Sequence, residues 1–118
     1  MTIDRQQRGL AAEERATLQM QQAGFEILLR NFRCRLGELD IVARRGALLV
    51  VAEVRLRSRS DYGGAAASIT ARKRLRIVRA ARYLLLRRPA LNGLRIRFDT
   101  LLLSAQDGPI DWIEDAFY

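Results

Sequence analysis

The first half of the chain places its apolar residues first at helical spacing and then in alternation. From Arg5 to Ala23 the residues are good helix formers, and Gly24 stands where a helix would end. Three strand-like segments follow: Phe25 to Asn31, Gly37 to Ala43, and Ala47 to Arg57. The last two are joined by Arg44, Arg45 and Gly46, which predicts a tight hairpin.

The second half predicts one more helix and two more strands. Ser58 to Ala67 is polar and glycine-bearing, so we expect a loop there. Thr70 to Arg88 predicts a helix that Pro89 ends. The apolar residues expected to face the core from this helix are Leu75, Val78, Ala81 and Leu85, with Ile77 and Leu84 widening the stripe. Leu94 to Leu103 and Ile110 to Ala116 predict the closing strands, around an Asp107-Gly108-Pro109 turn.

These elements give the order α-β-β-β-α-β-β. This order predicts an α/β fold in which one mixed sheet is flanked by helices. The chain has 118 residues, so we expect one domain spanning residues 1–118.

The charge balance favours polyanionic partners. Lys and Arg total 21 against 13 Asp and Glu, for a net charge of +8. Neutralising phosphates releases counterions, which favours nucleic acid, although solubility and codon usage also produce basic proteins. The candidate nucleic-acid contacts are Arg57, Arg72, Lys73, Arg76 and Arg79.

The residue types present exclude several kinds of chemistry. The chain has one cysteine, Cys34, and no histidine, which excludes a disulfide framework, Cys/His zinc sites and imidazole triads. Catalysis would have to use carboxylates, Arg, Lys, Tyr or a metal. The N-terminal segment MTIDRQQRG has no apolar core of signal-peptide length, and no apolar run is long enough to span a bilayer. We therefore expect a cytoplasmic protein with no membrane partner.

Carboxylates on the predicted hairpin come together if its loop has an even number of residues. Glu38 and Asp40 share one face of a strand, as do Glu53 and Arg55 on the next. A two-residue loop such as Arg45-Gly46 would pair position 40 near position 51 and make Asp40 and Glu53 diagonal neighbours. An odd loop would put them on opposite faces. The apolar alternation of both strands favours the even loop.

Two adjacent carboxylates repel each other unless something offsets the repulsion. A divalent cation does so, because Mg²⁺ is held by one or two carboxylates and completes its shell with water and phosphate oxygens. The alternative is a set of cross-strand salt bridges, with Arg55 among the cations. Glu13 favours the metal, because it falls in the small-residue stripe of the first helix, where a buried carboxylate needs a partner. An arginine such as Arg55 would also serve as that partner.

Seven segments of the chain carry a resemblance to a known family. In order they are GLAAEERA, GFEILLRNFR, GELDIVA, VAEVRLR, ARKRLRIVRAARYLL, RFDTLLL and IEDAFY. This series, from about Arg8 to Phe117, resembles the YraN-like family of small bacterial proteins, predicted endonucleases related to archaeal Holliday-junction resolvases. The resemblance implies a restriction-endonuclease-like fold of the PD-(D/E)xK superfamily and a metal-dependent endonuclease acting on DNA. By analogy with resolvases, it also implies a homodimer.

The resemblance also implies roles for single residues. Asp40 and Glu53 would hold Mg²⁺ or Mn²⁺, Glu13 would complete the site, and Glu38 would support it. The family pattern has a lysine two residues after the glutamate, where this chain has Arg55. An arginine there can hold the scissile phosphate, but its pKa above about 12 prevents it from acting as a base. Lys73 matches a lysine of the family's second helix, and a solvated surface position is the alternative.

Two other functions stay open at this point. A non-catalytic nucleic-acid-binding module would keep the scaffold without the working lysine. An RNA-associated protein would rely on the arginines of the second predicted helix alone. Aromatic residues make up only 7% of the chain and form no ladder for stacking bases, which disfavours the RNA interpretation.

Overall fold

The predicted order of elements is confirmed in the structure, a computed structural model that describes residues 5–56, 69–104 and 108–117. The elements are α1 (Arg5–Gln22), β1 (Glu26–Cys34), β2 (Gly37–Arg45), β3 (Leu48–Leu56), α2 (Ala71–Arg87), β4 (Arg95–Leu103) and β5 (Ile110–Phe117). The predicted boundaries lie close to these, except that β1 continues past Asn31. The predicted loop from Ser58 to Ala67, Arg57 and Asp107 lie outside the described residues.

The five strands form one mixed sheet in the order β1-β2-β3-β4-β5. All neighbouring strands are antiparallel except β3 and β4, which are parallel. A parallel pair needs a crossover connection, and here α2 and a short 3₁₀ turn, Pro89–Leu91, belong to it. No helix in the described ranges is long and apolar enough to cross a membrane.

The central strand β3 divides its side chains between two cores, because successive residues of a strand point to opposite faces. Val50 and Ala52 contribute to the α1-side core, and Leu49 and Val51 contribute to the α2-side core. The α1-side core is formed by Ala12, Ala16, Met20, Phe25, Ile41, Ala43, Val50, Ala52, Leu101 and Leu103. The α2-side core is formed by Leu39, Val42, Leu49, Val51, Ile69, Ile77, Ala80, Ala81, Leu84, Leu91, Phe98 and Phe117.

The core-facing stripe predicted for α2 is wrong in part. Leu75 is 49% exposed, and Val78 and Leu85 are only partly buried. The residues that α2 buries are Ile77, Ala80, Ala81 and Leu84. Leu75 and Leu84 lie nine positions apart, which places them on opposite sides of a helix, so one stripe cannot contain both.

A fully buried aspartate of β4, Asp99, joins β4 to β5 through side-chain hydrogen bonds. The carboxylate of Asp99 accepts hydrogen bonds from Arg97 Nε at 2.9 Å and Nη2 at 2.8 Å, and from Trp112 Nε1 at 2.8 Å. The backbone N–H of Asp115 donates a fourth bond at 3.0 Å, and Asp115 adopts a φ of 53°. The carboxylate is therefore charge-paired and well supplied with donors, as a buried charge requires.

Removing this carboxylate should weaken the fold. Asp99→Ala leaves the guanidinium of Arg97 without its buried partner, so we expect the free energy of unfolding to fall by about 3–5 kcal/mol. The matched control is Glu114→Ala, since Glu114 is 61% exposed and lies 3.6 Å from Arg97. Its removal should change the free energy of unfolding by less than about 1 kcal/mol. Urea denaturation followed by circular dichroism measures both, and equal losses would contradict the assignment.

Candidate functional site

The register of the β2–β3 hairpin brings Asp40 beside Glu53. Ile41 pairs with Ala52, and continuing this register by one residue puts Asp40 directly opposite Glu53. The predicted even loop is confirmed, but its residues are Gly46-Ala47 rather than Arg45-Gly46. Position 40 is therefore opposite position 53, not near position 51. Gly46 adopts a φ of 60°, which favours glycine at the first position of a two-residue hairpin turn.

The half-buried carboxyl group of Asp40 holds its proton unusually tightly. Burial and the neighbouring charge of Glu53 raise the pKa of Asp40 from 3.8 to about 8, and the charge of Glu13 adds to this in the same direction. A hydrogen bond from Val54 N to Asp40 Oδ2, 2.9 Å long, opposes the rise without cancelling it. A hydrogen bond with the side chain of Glu53 also raises the pKa of Asp40.

Glu53 forms an ion pair with Lys73 of α2, the helix that packs on the sheet. Its side chain is 6% exposed, and Lys73 Nζ lies 2.6 Å from Glu53 Oε1. The side chain of Thr70 caps α2 by accepting a hydrogen bond from Lys73 N at 3.1 Å, which fixes the first turn of the helix. From the sequence, Lys73 was predicted to contact nucleic acid, and its ion pair with Glu53 was not predicted. No local spacing reveals this pair, because it joins two distant elements.

Glu13 approaches the same row of residues from α1 but is held by an asparagine. Asn31 Nδ2 donates to Glu13 Oε2 at 2.9 Å. The β1–β2 register places Asn31 opposite Asp40, and Asn31 has a φ of 54°. The next residue on the helix, Glu14, is exposed and contacts Arg30 of β1 at 3.0 Å. No pattern in the sequence indicated that Asn31 would be the hydrogen-bond partner of Glu13.

The three acids do not form one compact cluster. Among the residues that the structure describes, no group of three or more Asp, Glu, Cys or His side chains could hold one metal ion together. Asp40 and Glu53 form the pair, and Glu13 lies close enough for its charge to act on Asp40. The hydrogen bond from Asn31 and the mutual repulsion of the acids account for this separation.

The remaining predicted residues surround this pair. Arg55 is half-buried, lies two positions after Glu53 on β3, and is engaged in an interaction of its own. Glu38 is exposed and contacts Arg33 Nε at 3.4 Å, so it stands at the rim of the site. Arg79 is exposed on α2, and Arg57 lies outside the described residues.

A groove of about 490 Å³ adjoins the acid pair. Its lining consists of Glu38, Thr70, Arg72, Lys73, Arg76 and Ile77. Lys73 lines this groove and also contacts Glu53, so this one side chain connects the groove to the acid pair. Gly37 permits the close packing here, because a Cβ on it would lie 2.7 Å from the carbonyl oxygen of Arg76. Three cations thus face one exposed carboxylate in a groove that would attract an anion.

The donor set fits a hard divalent cation. Asp40 and Glu53 offer carboxylate oxygens, and Mg²⁺ or Mn²⁺ needs only one or two of these besides water. Thr100 is paired with Glu53 across β3 and β4, and its buried Oγ1 has no hydrogen-bond partner among the described residues. A buried hydroxyl without a partner beside an acid pair could form its hydrogen bond with water bound to a metal ion.

The sheet, the acid pair and the basic groove together define a small α/β domain with a candidate anion-binding site. Comparison with known proteins places the chain in a family: residues 12–103 match the model described as "Uncharacterised protein family UPF0102". The chain belongs to this family, and the resemblance to YraN-like proteins is confirmed.

Curated relatives match almost the whole chain. It is 48% identical to a UPF0102 protein of Dechloromonas aromatica (strain RCB), over 93% of this chain and 88% of the relative. It is 45% identical to one of Xanthomonas campestris pv. campestris (strain B100), over 99% and 96% respectively. A UPF0102 protein of Legionella pneumophila subsp. pneumophila (strain Philadelphia 1) is 35% identical over 95% of each chain.

The raised pKa of Asp40 should make stability depend on pH. Between its ordinary pKa of 3.8 and about 8, the folded chain holds a proton that the unfolded chain releases. The free energy of unfolding therefore receives a contribution from Asp40 that is complete at low pH and is lost as the pH rises through about 8. Asp40→Asn keeps an acceptor for Val54 N but cannot titrate, so it should flatten this dependence.

Urea denaturation in metal-free buffers on either side of this range checks the expectation. The matched control is Glu14→Gln, which neutralises an exposed carboxylate on α1 and should leave the pH dependence of the wild type in place. Parallel pH profiles for the wild type and Asp40→Asn would contradict the assignment.

Proposed function

We propose that this protein is a Mg²⁺- or Mn²⁺-dependent endonuclease that cleaves DNA. The observation that carries the proposal is the pairing of Asp40 with Glu53 on adjacent strands, with Lys73 linking the pair to a basic groove. Two repelling carboxylates joined through Lys73 to a basic groove suit a reaction in which a cation and a phosphodiester must meet. Membership of the YraN-like family, with its resemblance to predicted endonucleases, points the same way.

Each residue of the site has a role in this proposal. Asp40 and Glu53 would hold the cation, with Glu13 acting on them through its charge. When bound, such a cation lowers the pKa of a water molecule and stabilises negative charge on the phosphate. Arg72 and Arg76 line the groove and would bind backbone phosphates.

Lys73 would supply the lysine that β3 lacks. Arg55 occupies the family's lysine position and would hold the scissile phosphate. The Lys73 ammonium is a compact donor 2.6 Å from Glu53, and at 53% exposure it is open to solvent on its other side. It is therefore able to donate to a phosphate oxygen or to the attacking water while contacting a metal-binding acid.

The shape of the substrate follows by analogy alone. The related resolvases act on branched DNA, so we propose branched or otherwise structured DNA as the substrate. A junction offers two equivalent strands, which suits a symmetric homodimer.

The second candidate is a non-catalytic nucleic-acid-binding module. The ion pair between Lys73 and Glu53 favours it, because the pair already neutralises one acid without a metal. The absence of a three-acid cluster among the described residues also favours it. Calorimetric titration with Mg²⁺ separates the two candidates, since a module that has lost its metal site takes up no Mg²⁺ saturably.

Removing either acid should abolish cleavage and spare binding. Asp40→Ala and Glu53→Ala each remove a metal ligand, and losing several kcal/mol of transition-state stabilisation slows cleavage by at least about a hundredfold. Binding should persist and stay sensitive to salt, because the phosphate contacts lie in the groove. Cleavage assays on linear, branched and single-stranded DNA, with Mg²⁺ and with Mn²⁺, test this. A wild-type protein inert on every substrate with both metals would contradict the proposal.

Substitutions at Lys73 and at Arg55 test which of the two residues fills the role of the family's lysine. Lys73→Ala should slow cleavage by about a hundredfold, as expected for the loss of one donor to the transition state. Arg74→Ala is the matched control, since Arg74 is an exposed cation of the same helix outside the groove. Arg55→Lys restores the family pattern but should bring no large gain in rate if Lys73 already serves. A large gain in Arg55→Lys, together with an unaffected Lys73→Ala, would assign the lysine role to β3 instead.

A further inference from the structure

A second basic groove lies at the other end of α2. It has a volume of about 540 Å³ and forms where the end of β1 and the following turn meet the last turns of the helix. Four arginines line it, Arg33 and Arg35 from the β1 side and Arg87 and Arg88 from the helix side. We call this the distal groove. None of the sequence-based site predictions includes a residue from it.

Charge and geometry suit this groove to phosphate. Four guanidinium groups around one cavity repel each other, and within the described ranges Arg33 alone of the four contacts an acid, the exposed Glu38 at 3.4 Å. Arg87 stacks over the ring of Tyr83, 5.8 Å from its centroid, which restricts the guanidinium before any ligand arrives. Arginine forks match phosphate oxygens in two-point contacts, so the natural occupant is a phosphate group.

The face of α2 joins the two grooves. The members of this face, spaced at helical intervals, are Arg72, Arg76, Arg79, Tyr83 and Arg87. Its four arginines are exposed. From Lys73 to Arg87 the helix rises about 21 Å at about 1.5 Å per residue. A single phosphate or mononucleotide cannot reach both ends, whereas about six steps of one DNA strand, at about 3.4 Å each, cover the distance.

From this we infer that the distal groove anchors the backbone of the same DNA that enters the candidate cleavage site, about 20 Å from the acid pair. The occupant is duplex DNA, bound through phosphates and without regard to sequence. This inference rests on the proposed function for the identity of the ligand. It adds a substrate requirement, because DNA must extend about six base pairs beyond the scissile phosphate to gain the distal contacts.

Cys34 makes the inference testable without a label. It is the single cysteine of the chain, it is half-buried, and it lines the distal groove. DNA seated there should slow its alkylation by iodoacetamide severalfold. The probe is a duplex of about 20 base pairs, two helical turns, added without divalent metal so that no cleavage occurs. Inorganic phosphate at the same phosphate concentration should protect Cys34 far less.

Two double variants of equal charge give the control. Arg35→Gln with Arg87→Gln removes two cations from the distal groove. Arg74→Gln with Arg82→Gln removes two from the opposite flank of α2, where they line a separate groove. The first variant should lose the protection of Cys34 and lower the slope of log affinity against log salt by about 2, at about 0.9 per phosphate contact. The second should keep the protection and most of the slope.

The outcomes separate this inference from the nuclease proposal. Duplex that binds at saturation, measured by fluorescence anisotropy, yet leaves Cys34 alkylation unchanged would overturn the inference while cleavage could still stand. Equal losses in the two double variants would also overturn it, since charge alone would then explain binding. Protection of Cys34 by an acidic polypeptide as strong as that by DNA would replace DNA with a protein partner. If DNA protects Cys34 but the protein cleaves no DNA, the inference about the distal groove is supported and the nuclease proposal is refuted.

Discussion

Two carboxylates held side by side on adjacent strands set the conditions for every other residue of the site. The ladder between β2 and β3 runs up to Ile41 and Ala52, the residues next to the pair, and the backbone N–H of Val54 donates to Asp40, so the two strands keep Asp40 and Glu53 side by side. The repulsion is relieved in two other ways. Asp40 keeps its proton, and Glu53 takes the ammonium of Lys73 from a helix on the face of the sheet. The position of α2 and the protonation of the pair are therefore linked.

The scaffold holds these groups on rigid elements. Glu53 lies on β3, which is paired with β2 on one side and β4 on the other and is buried on both faces over most of its length. The close approach of Gly37 to Arg76 sets the distance between β2 and α2, and the cap at Thr70 fixes the first turn of the helix. Side chains on regular elements are positioned more precisely than side chains on loops, and a site that holds two mutually repelling carboxylates requires this precision.

Local pattern predicted the elements and the convergence of the acid pair, because both depend on periodicity. Alternation along β2 and β3 is a property of neighbouring residues, and it favoured an even loop, which places the two acids on the same face. The exact turn was missed because Gly46 fits either position of a two-residue loop. The partners of the acids were missed for a different reason. Lys73 and Asn31 reach Glu53 and Glu13 through tertiary packing, for which no short spacing in the sequence is a guide.

The sheet contains a second aspartate that shows what a structural carboxylate requires. Asp99 is buried completely, and its two oxygens receive four hydrogen bonds, two of them from a paired arginine. Asp40 is less buried, receives one backbone hydrogen bond, and has Glu53 beside it. Packing and fold stability account for Asp99, but they give no reason to place Asp40 against another acid. In the function proposed here, a cation would offset the repulsion that lowers the stability of the folded chain in neutral and alkaline solution, and the basic groove lined by Lys73 would hold a phosphate beside it.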